Sequence, residues 1–174
     1  MPRIGGALAA SVMALAAVAG VAQTPESWRT YHNADCGFSV QTPADPKTRQ
    51  LPLPTKLGWA STLVGSVSLE NKSGLIFTVS DYSGHKPSLD PEAALGLAVK
   101  GAVEQSHGVL DSDQSITVAG APGRDIVVRS PKASARARLI YRNKRLYMLA
   151  GAGLIANGVP KEYDRFAGSL AFDH

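Results

Sequence analysis

The sequence predicts an α+β fold in which an antiparallel β-sheet of about six to seven strands is covered by one long and one short helix. Short links join neighbouring strand-like segments, and such links favour antiparallel pairing. Several of these segments are apolar on both alternating faces, as in Ile126-Val127-Val128 and Leu139-Ile140. Strands of that kind are covered on both sides. Two helical segments are available to cover them.

The first half of the sheet is predicted from residues 28–82. Residues 28–31 and 38–41 are expected to form a short strand pair around a turn-rich segment that contains Gly37. Residues 42–58 contain four prolines, so we expect an extended surface loop there. Residues 61–70 and 75–82 are β-branched and alternating, and they predict a hairpin.

A long helix is predicted over residues 90–106. Asp90 is a favourable N-cap, Pro91 suits the first helical position, and Glu92 complements the positive end of the helix dipole. One face of this helix is apolar, which predicts that it packs on the sheet. The apolar face consists of Leu95, Ala98, Val99 and Ala102.

Four further strands are predicted at residues 109–118, 124–130, 135–142 and 145–150, joined by short turns. A second, short helix is expected to begin near Pro160 and to direct Tyr163 and Phe166 inward. Residues 170–172 then close the domain as a strand or cap. No internal repeat or heptad pattern is present in the sequence.

The N-terminal segment has the pattern of a secretory signal peptide. Arg3 is followed by an uninterrupted run of apolar or small residues over 4–22, and polar Gln23 follows. We expect cleavage after Ala22 and a periplasmic or secreted protein with no membrane span thereafter. The alternative is an uncleaved anchor, because about 19 apolar residues approach the length of a membrane-spanning helix. The run is rich in Ala and Gly, which favours cleavage.

Residues 23–174 are expected to form a single domain. A chain of this length can bury roughly two-thirds of its unfolded surface, so it needs neither a metal nor a disulfide to fold. Cys36 is the single cysteine, which excludes an intrachain disulfide. We expect its thiol to be buried, and the alternative is intermolecular pairing.

Several turn and core segments resemble those of a known family. These segments are Gly37-Phe38-Ser39-Val40, Asp90-Pro91, Gly120-Ala121-Pro122-Gly123-Arg124, Arg145-Leu146-Tyr147 and Phe166-Ala167-Gly168-Ser169-Leu170. Together they resemble the PsbP-like α/β/α sandwich group, which includes the extrinsic photosystem II subunit, a Ran-binding nuclear-import factor and many small exported bacterial proteins. The resemblance spans most of residues 28–172. It implies an antiparallel sheet between helices and a role as an accessory or binding module, and it supplies no catalytic residue.

Three motifs could carry chemistry, and we interpret each as structural. Residues 151–156 match the dinucleotide fingerprint GxGxxA, but the segment that follows breaks the required helix, so we expect no cofactor and a small-residue loop. His32 and Cys36 could share a metal, but a zinc site needs a third ligand, so we expect none. Asp111 and Asp113 could form an acid–base pair, although a solvated strand end is the favoured interpretation.

The positive charge of the chain is segregated. Residues 124–145 contain eight basic side chains and one acid, Asp125, whereas the rest of residues 23–174 contains nine basic and thirteen acidic residues. The candidate partner-binding residues are Arg124, Arg129, Lys132, Arg136, Arg138, Arg142, Lys144 and Arg145. On a hairpin they would form two groups bridged by Arg138. They could bind an anionic lipid, a glycan or an acidic protein surface. The alternative is a solvated sheet rim that discourages edge pairing.

These observations favour an exported, non-enzymatic binding or accessory module. Nucleic acid is not the expected partner, because no aromatic residues interleave the arginines as base-stacking platforms would. The alternative function is that of a small periplasmic hydrolase with an unrecognised site. Neither a nucleophile elbow nor a Ser-x-x-Lys motif is present to support it.

Overall fold

The computed structural model describes residues 27–55, 58–84 and 90–173 of the chain. The predicted signal peptide and the predicted cleavage site lie outside the described residues, as do His85 and His174. No helix among the described residues is long and apolar enough to cross a membrane.

The described residues form ten strands and two helices. In chain order they are β1 (Arg29–Asn33), β2 (Phe38–Thr42), β3 (Lys47–Thr55), β4 (Gly58–Ser68), β5 (Gly74–Asp81), α1 (Pro91–Ser106), β6 (Val109–Val118), β7 (Ala121–Arg129), β8 (Ala133–Arg142), β9 (Arg145–Leu154), α2 (Tyr163–Gly168) and β10 (Ala171–Phe172). Seven of the strands form one sheet in the order β3-β4-β5-β9-β8-β7-β6, and every neighbouring pair is antiparallel. The predicted α+β class is confirmed.

Helix α1 covers one face of the central sheet. Asp90 caps it by accepting a hydrogen bond from the backbone N–H of Ala93, as the sequence predicts. Its fully buried Leu95 packs with Ile126, Leu139 and other side chains of β7, β8 and β9. The exposed positions of α1 include the charged residues Glu92, Lys100 and Glu104.

The opposite face of the central sheet is covered by α2 and by a second, small sheet. The small sheet has the order β1-β2-β10, so the end of the chain returns to pair with its beginning. Fully buried Phe38 and Phe166 fill this second core, and Phe38 packs edge-on against Phe77 of the central sheet with ring centroids 5.5 Å apart. The middle strands β5, β8 and β9 are thus covered on both faces, whereas β6 at the edge is mostly exposed. The small sheet is a cover that the sequence did not predict.

The prediction of an extended loop over residues 42–58 is wrong for much of that length, because Lys47–Thr55 form strand β3. It pairs with β4 along its whole length, and it lies at the edge of the central sheet. Pro52 and Pro54 are compatible with a strand only because one side of an edge strand needs no ladder donor.

Strand β9 is longer than predicted and contains the first four residues of the segment 151–156, for which the sequence predicts a loop. Residues 155 and 156 lie in a turn. Gly151 and Gly153 both lie within β9. A Cβ atom at Gly151 would stand 2.8 Å from Cδ2 of Tyr163, and one at Gly153 would meet the carbonyl of Gly158. These glycines therefore allow the chain that leads into α2 to lie directly on the sheet.

Candidate anion-binding surface

The eight basic candidates lie on β7, β8, β9 and the two turns that join these strands. Because β8 and β9 pair with Arg138 opposite Leu149 and Arg142 opposite Arg145, these side chains share the face that carries α2. Arg124 lies opposite Leu139 and is on the other face, beside α1. The sheet thus divides the candidates between two surfaces.

Five of the eight candidates form ion pairs with carboxylates. The pairs are Arg124 with Glu92 at 3.0 Å and Asp113 at 3.2 Å, Arg129 with Asp111 at 2.9 Å, Arg136 with Asp164 at 2.9 Å, Arg138 with Asp125 at 2.8 Å, and Arg145 with Asp81 at 3.0 Å. All but one of these acids come from outside residues 124–145. The excess charge of that stretch is therefore largely neutralised by tertiary contacts, which the sequence analysis did not include.

Arg138 is the most extensively bonded of the five. It donates two hydrogen bonds to Asp125 and a third, at 3.2 Å, to the carbonyl of Ala167 in α2. The hydrogen bond to Asp125 is the main cause of a raised pKa of its guanidinium. Arg138 thus joins the sheet to α2 and is not the free bridge between two patches that the sequence predicts.

Arg145 belongs to a polar cluster between the two sheets. Its partner Asp81 also accepts a hydrogen bond from the backbone of Ser83. Burial raises the pKa of the Asp81 carboxyl, but the bonds from Ser83 and Arg145 outweigh it, so the pKa lies below its usual value. Nearby, the Tyr147 hydroxyl donates to the carbonyl of Cys36 at 2.8 Å. The cluster fastens the β1–β2 turn to the central sheet.

Three candidates have no carboxylate partner among the described residues: Lys132, Arg142 and Lys144. Arg142 instead lies over the ring of Phe172, with its guanidinium carbon 4.8 Å from the ring centroid, and donates to the carbonyl of Ala119. Lys144 follows Asn143 in the tight β8–β9 turn, where both residues adopt positive φ. Lys132 lies in the turn at the opposite end of β8, roughly 30 Å away at about 3.3 Å per residue.

The acidic pair and the metal candidate His32 each contact other side chains, whereas the Cys36 thiol is free and partly buried. The pairing of β6 with β7 is irregular between Leu110 and Ser112, and Asp111 and Asp113 bond to different arginines. His32 contacts Asp173, with its Nε2 3.0 Å from a carboxylate oxygen. Among the described residues, no three potential metal ligands come together.

Exposed aliphatic side chains at the Lys132 end of the sheet were not predicted from the sequence. Leu154 and Ile155 are 40% and 47% exposed, and Val109 is 65% exposed. Two of them lie in the segment that matches the GxGxxA fingerprint. The match is defined by its glycines, whereas the side chains that face solvent are the two aliphatic residues after Gly153.

The arrangement of two covered faces around an antiparallel sheet defines the PsbP-like α+β sandwich fold, as the resemblance implied. The solution structure of cyanobacterial PsbP (CyanoP) from Synechocystis sp. PCC 6803 superimposes on this chain with a TM-score of 0.60. The two sequences are 14% identical, and the match covers 91% of this chain and 98% of that chain. No protein-family model and no curated protein sequence matches the chain.

Proposed function

We propose that this protein is an exported, non-enzymatic binding or accessory module that recognises an anionic partner through cations left without carboxylates. The observation that carries the proposal is the contrast among the eight candidates. Five arginines are held in ion pairs, whereas Lys132 and Lys144 occupy turns at the ends of β8 with no carboxylate partner among the described residues. Cations in exposed turns can approach a partner without first losing an internal contact.

Export is supported by the N-terminal sequence. Arg3, the apolar run over residues 4–22 and the polar residues after it form the pattern of a cleaved signal peptide. The periplasm or the exterior of the cell is therefore the proposed location. Polyanions in these locations include lipid headgroups, glycans and acidic protein surfaces.

The five paired arginines have a structural role in this proposal. Their guanidinium groups connect β7 to β6 and α1, β8 to α2, and β9 to β5. The alternative of a hydrolase gains no support from the acidic candidates, because Asp111 and Asp113 each contact an arginine and not a histidine.

The test is salt-dependent retention of the purified protein on immobilised heparin, which serves as a polyanionic probe. The variant Lys132→Ser/Lys144→Ser should elute at lower salt than the wild type. It has lost two cationic contacts with heparin, so less salt is needed to screen the remaining attraction. The control is Lys47→Ser/Lys100→Ser, which removes the same charge from β3 and α1. Equal elution of the two double variants would show that only net charge matters, and it would overturn the proposed site.

A further inference from the structure

Exposed large apolar side chains are concentrated at one end of the central sheet. Five such residues are exposed among those described, and four of them, Val109, Leu110, Leu154 and Ile155, lie at this end. They do not form one cluster. The register places Val109 three strands from β9, roughly 14 Å away at about 4.8 Å per strand, and on the face of Gly153. Leu154 is opposite Ala133 and lies on the other face. The fifth, Trp59, begins β4 at the opposite end. We call Leu154 and Ile155, which are adjacent at the end of β9, the aliphatic tip.

The tip is held in place by hydrogen bonds to two neighbouring turns. The backbone N–H of Ile155 donates to the carbonyl of Lys132 at 3.0 Å, in the β7–β8 turn. The side-chain amide of Asn157 donates to the carbonyl of Asn71 at 3.0 Å, in the β4–β5 turn. Leu154 also accepts backbone bonds from Asn157 and Gly158 at 2.9 Å. The aliphatic side chains are thus presented by a fixed turn.

Lysines without carboxylate partners surround the tip. Lys132 and Lys72 lie in the two turns that hold it, and Lys161 lies in the segment leading to α2, and none of them forms an ion pair with a described residue. Glu70 and Glu162 lie in the same segments and offset part of this charge. The neighbouring Arg129 and Arg136 are already paired with Asp111 and Asp164. A modest positive charge therefore surrounds an apolar centre.

We infer that the aliphatic tip docks the protein on the surface of a bilayer that contains anionic lipid. Leu154 and Ile155 enter the boundary between headgroups and acyl chains, while Lys72, Lys132 and Lys161 contact the headgroups. This inference rests on the proposed function and names its anionic partner. It also assigns the contact to the Lys132 end of the sheet.

The aliphatic side chains are the reason to choose a lipid surface over a glycan. A soluble polyanion offers charge but no apolar phase, so it would leave Leu154 and Ile155 in water. A bilayer removes them from water, with a gain of roughly 25 cal/mol per Å² of apolar surface. Few aliphatic side chains enter the bilayer, and Glu70 and Glu162 offset part of the positive charge of the lysines. We therefore expect weak, reversible binding to the vesicles.

The experiment is co-sedimentation of the purified protein with phosphatidylglycerol vesicles and with phosphatidylcholine vesicles, alongside the heparin assay. The variant Leu154→Ser/Ile155→Ser should bind phosphatidylglycerol vesicles about tenfold more weakly than the wild type, which corresponds to about 1.4 kcal/mol. It should keep wild-type retention on heparin. Trp59→Ser, which removes an exposed apolar side chain at the opposite end, should bind as the wild type does.

A second variant reports the contact directly and does not depend on whether the first one folds. Ile155→Trp in a Trp59→Phe background is compared with its Trp59→Phe parent, which retains Trp28. The fluorescence that the new tryptophan adds should shift to the blue with phosphatidylglycerol vesicles, and less with phosphatidylcholine vesicles. Unchanged vesicle binding by Leu154→Ser/Ile155→Ser, or an Ile155→Trp spectrum insensitive to vesicles, would overturn the lipid inference alone. Wild-type protein that binds neither vesicles nor heparin would overturn the proposed function as well.

Discussion

Arg138 of β8 and Asp125 of β7 face each other across two paired strands and are joined by two hydrogen bonds. Nε of Arg138 donates to Oδ1 of Asp125 at 2.9 Å, and Nη2 donates to Oδ2 at 2.8 Å. The arginine also donates to the carbonyl of Ala167, so the pair connects the central sheet to α2. A parallel two-bond contact of this kind is stronger than a single exposed ion pair.

Replacement of Arg138 by methionine should lower the free energy of unfolding by about 2 kcal/mol, because the half-buried Asp125 carboxylate then loses both charged hydrogen bonds. The control is Arg29→Met, which breaks an ion pair whose side chains are 60% and 77% exposed. That change should cost less than about 1 kcal/mol. Urea unfolding measures both values. Equal losses would show that the Arg138 pair is no more than a surface contact.

Two glycine-to-alanine substitutions should have opposite effects on stability. Gly96 lies in α1 with no atom within 4 Å of an added Cβ, so Gly96→Ala should stabilise the protein by up to about 1 kcal/mol. Gly65 lies under the ring of Phe77, which an added Cβ would overlap, so Gly65→Ala should be strongly destabilising. Thermal melting of the two variants measures the difference. A stable Gly65→Ala protein would contradict the tight packing of β4 on β5.

Thr42 and Thr62 should respond differently to replacement by valine. Both are 1% exposed, but the Thr62 hydroxyl lies 3.0 Å from the hydroxyl of Ser80, whereas the Thr42 hydroxyl has no hydrogen-bond partner among the described residues. Thr42→Val should therefore raise the free energy of unfolding by roughly 1 kcal/mol, and Thr62→Val should lower it. The denaturant concentrations at the unfolding midpoints of Thr42→Val and Thr62→Val test this prediction. A loss of stability in Thr42→Val would show that its hydroxyl is bonded.

The Cys36 thiol should react slowly with iodoacetamide in the folded protein. Burial is the main cause of a raised pKa, with smaller opposing and reinforcing contributions from Arg145 and from Asp35 and Asp81. At a given pH the folded protein then contains less thiolate than the unfolded chain, and thiolate is the reactive form. The rate should therefore rise at higher pH in the folded protein than in urea. Faster alkylation of the folded protein at neutral pH would contradict this prediction.

Local patterns were sufficient to predict the order and type of most elements. The cap at Asp90, the apolar face of α1 and the turn at Asn143-Lys144 each act over a few residues, so they are visible in the sequence. The edge strand β3 was missed because prolines usually exclude a strand, and only its position beside a single neighbour makes Pro52 and Pro54 acceptable. The small sheet was not predicted as a separate unit, because β10 pairs with β2 from the other end of the chain.

The candidate site was harder to predict, because its charges are balanced by residues distant in sequence. Arg145 and its partner Asp81 are 64 positions apart, and Arg124 and Glu92 are 32 apart. A count of charges along the chain includes none of these pairs. Lys132 and Lys144 could be identified as candidates from the sequence, but their lack of a carboxylate partner among the described residues could not. The exposure of Leu154 and Ile155 likewise depends on how β9 ends.

The two outer strands of the central sheet limit how copies of this protein can associate. Pro52 and Pro54 remove two backbone donors from β3, and the pairing of β6 with β7 is irregular next to Asp111. Both features oppose the pairing of a strand from another molecule with the edge of the sheet. At high concentration on a crowded surface, the molecules should therefore remain separate instead of polymerising edge to edge.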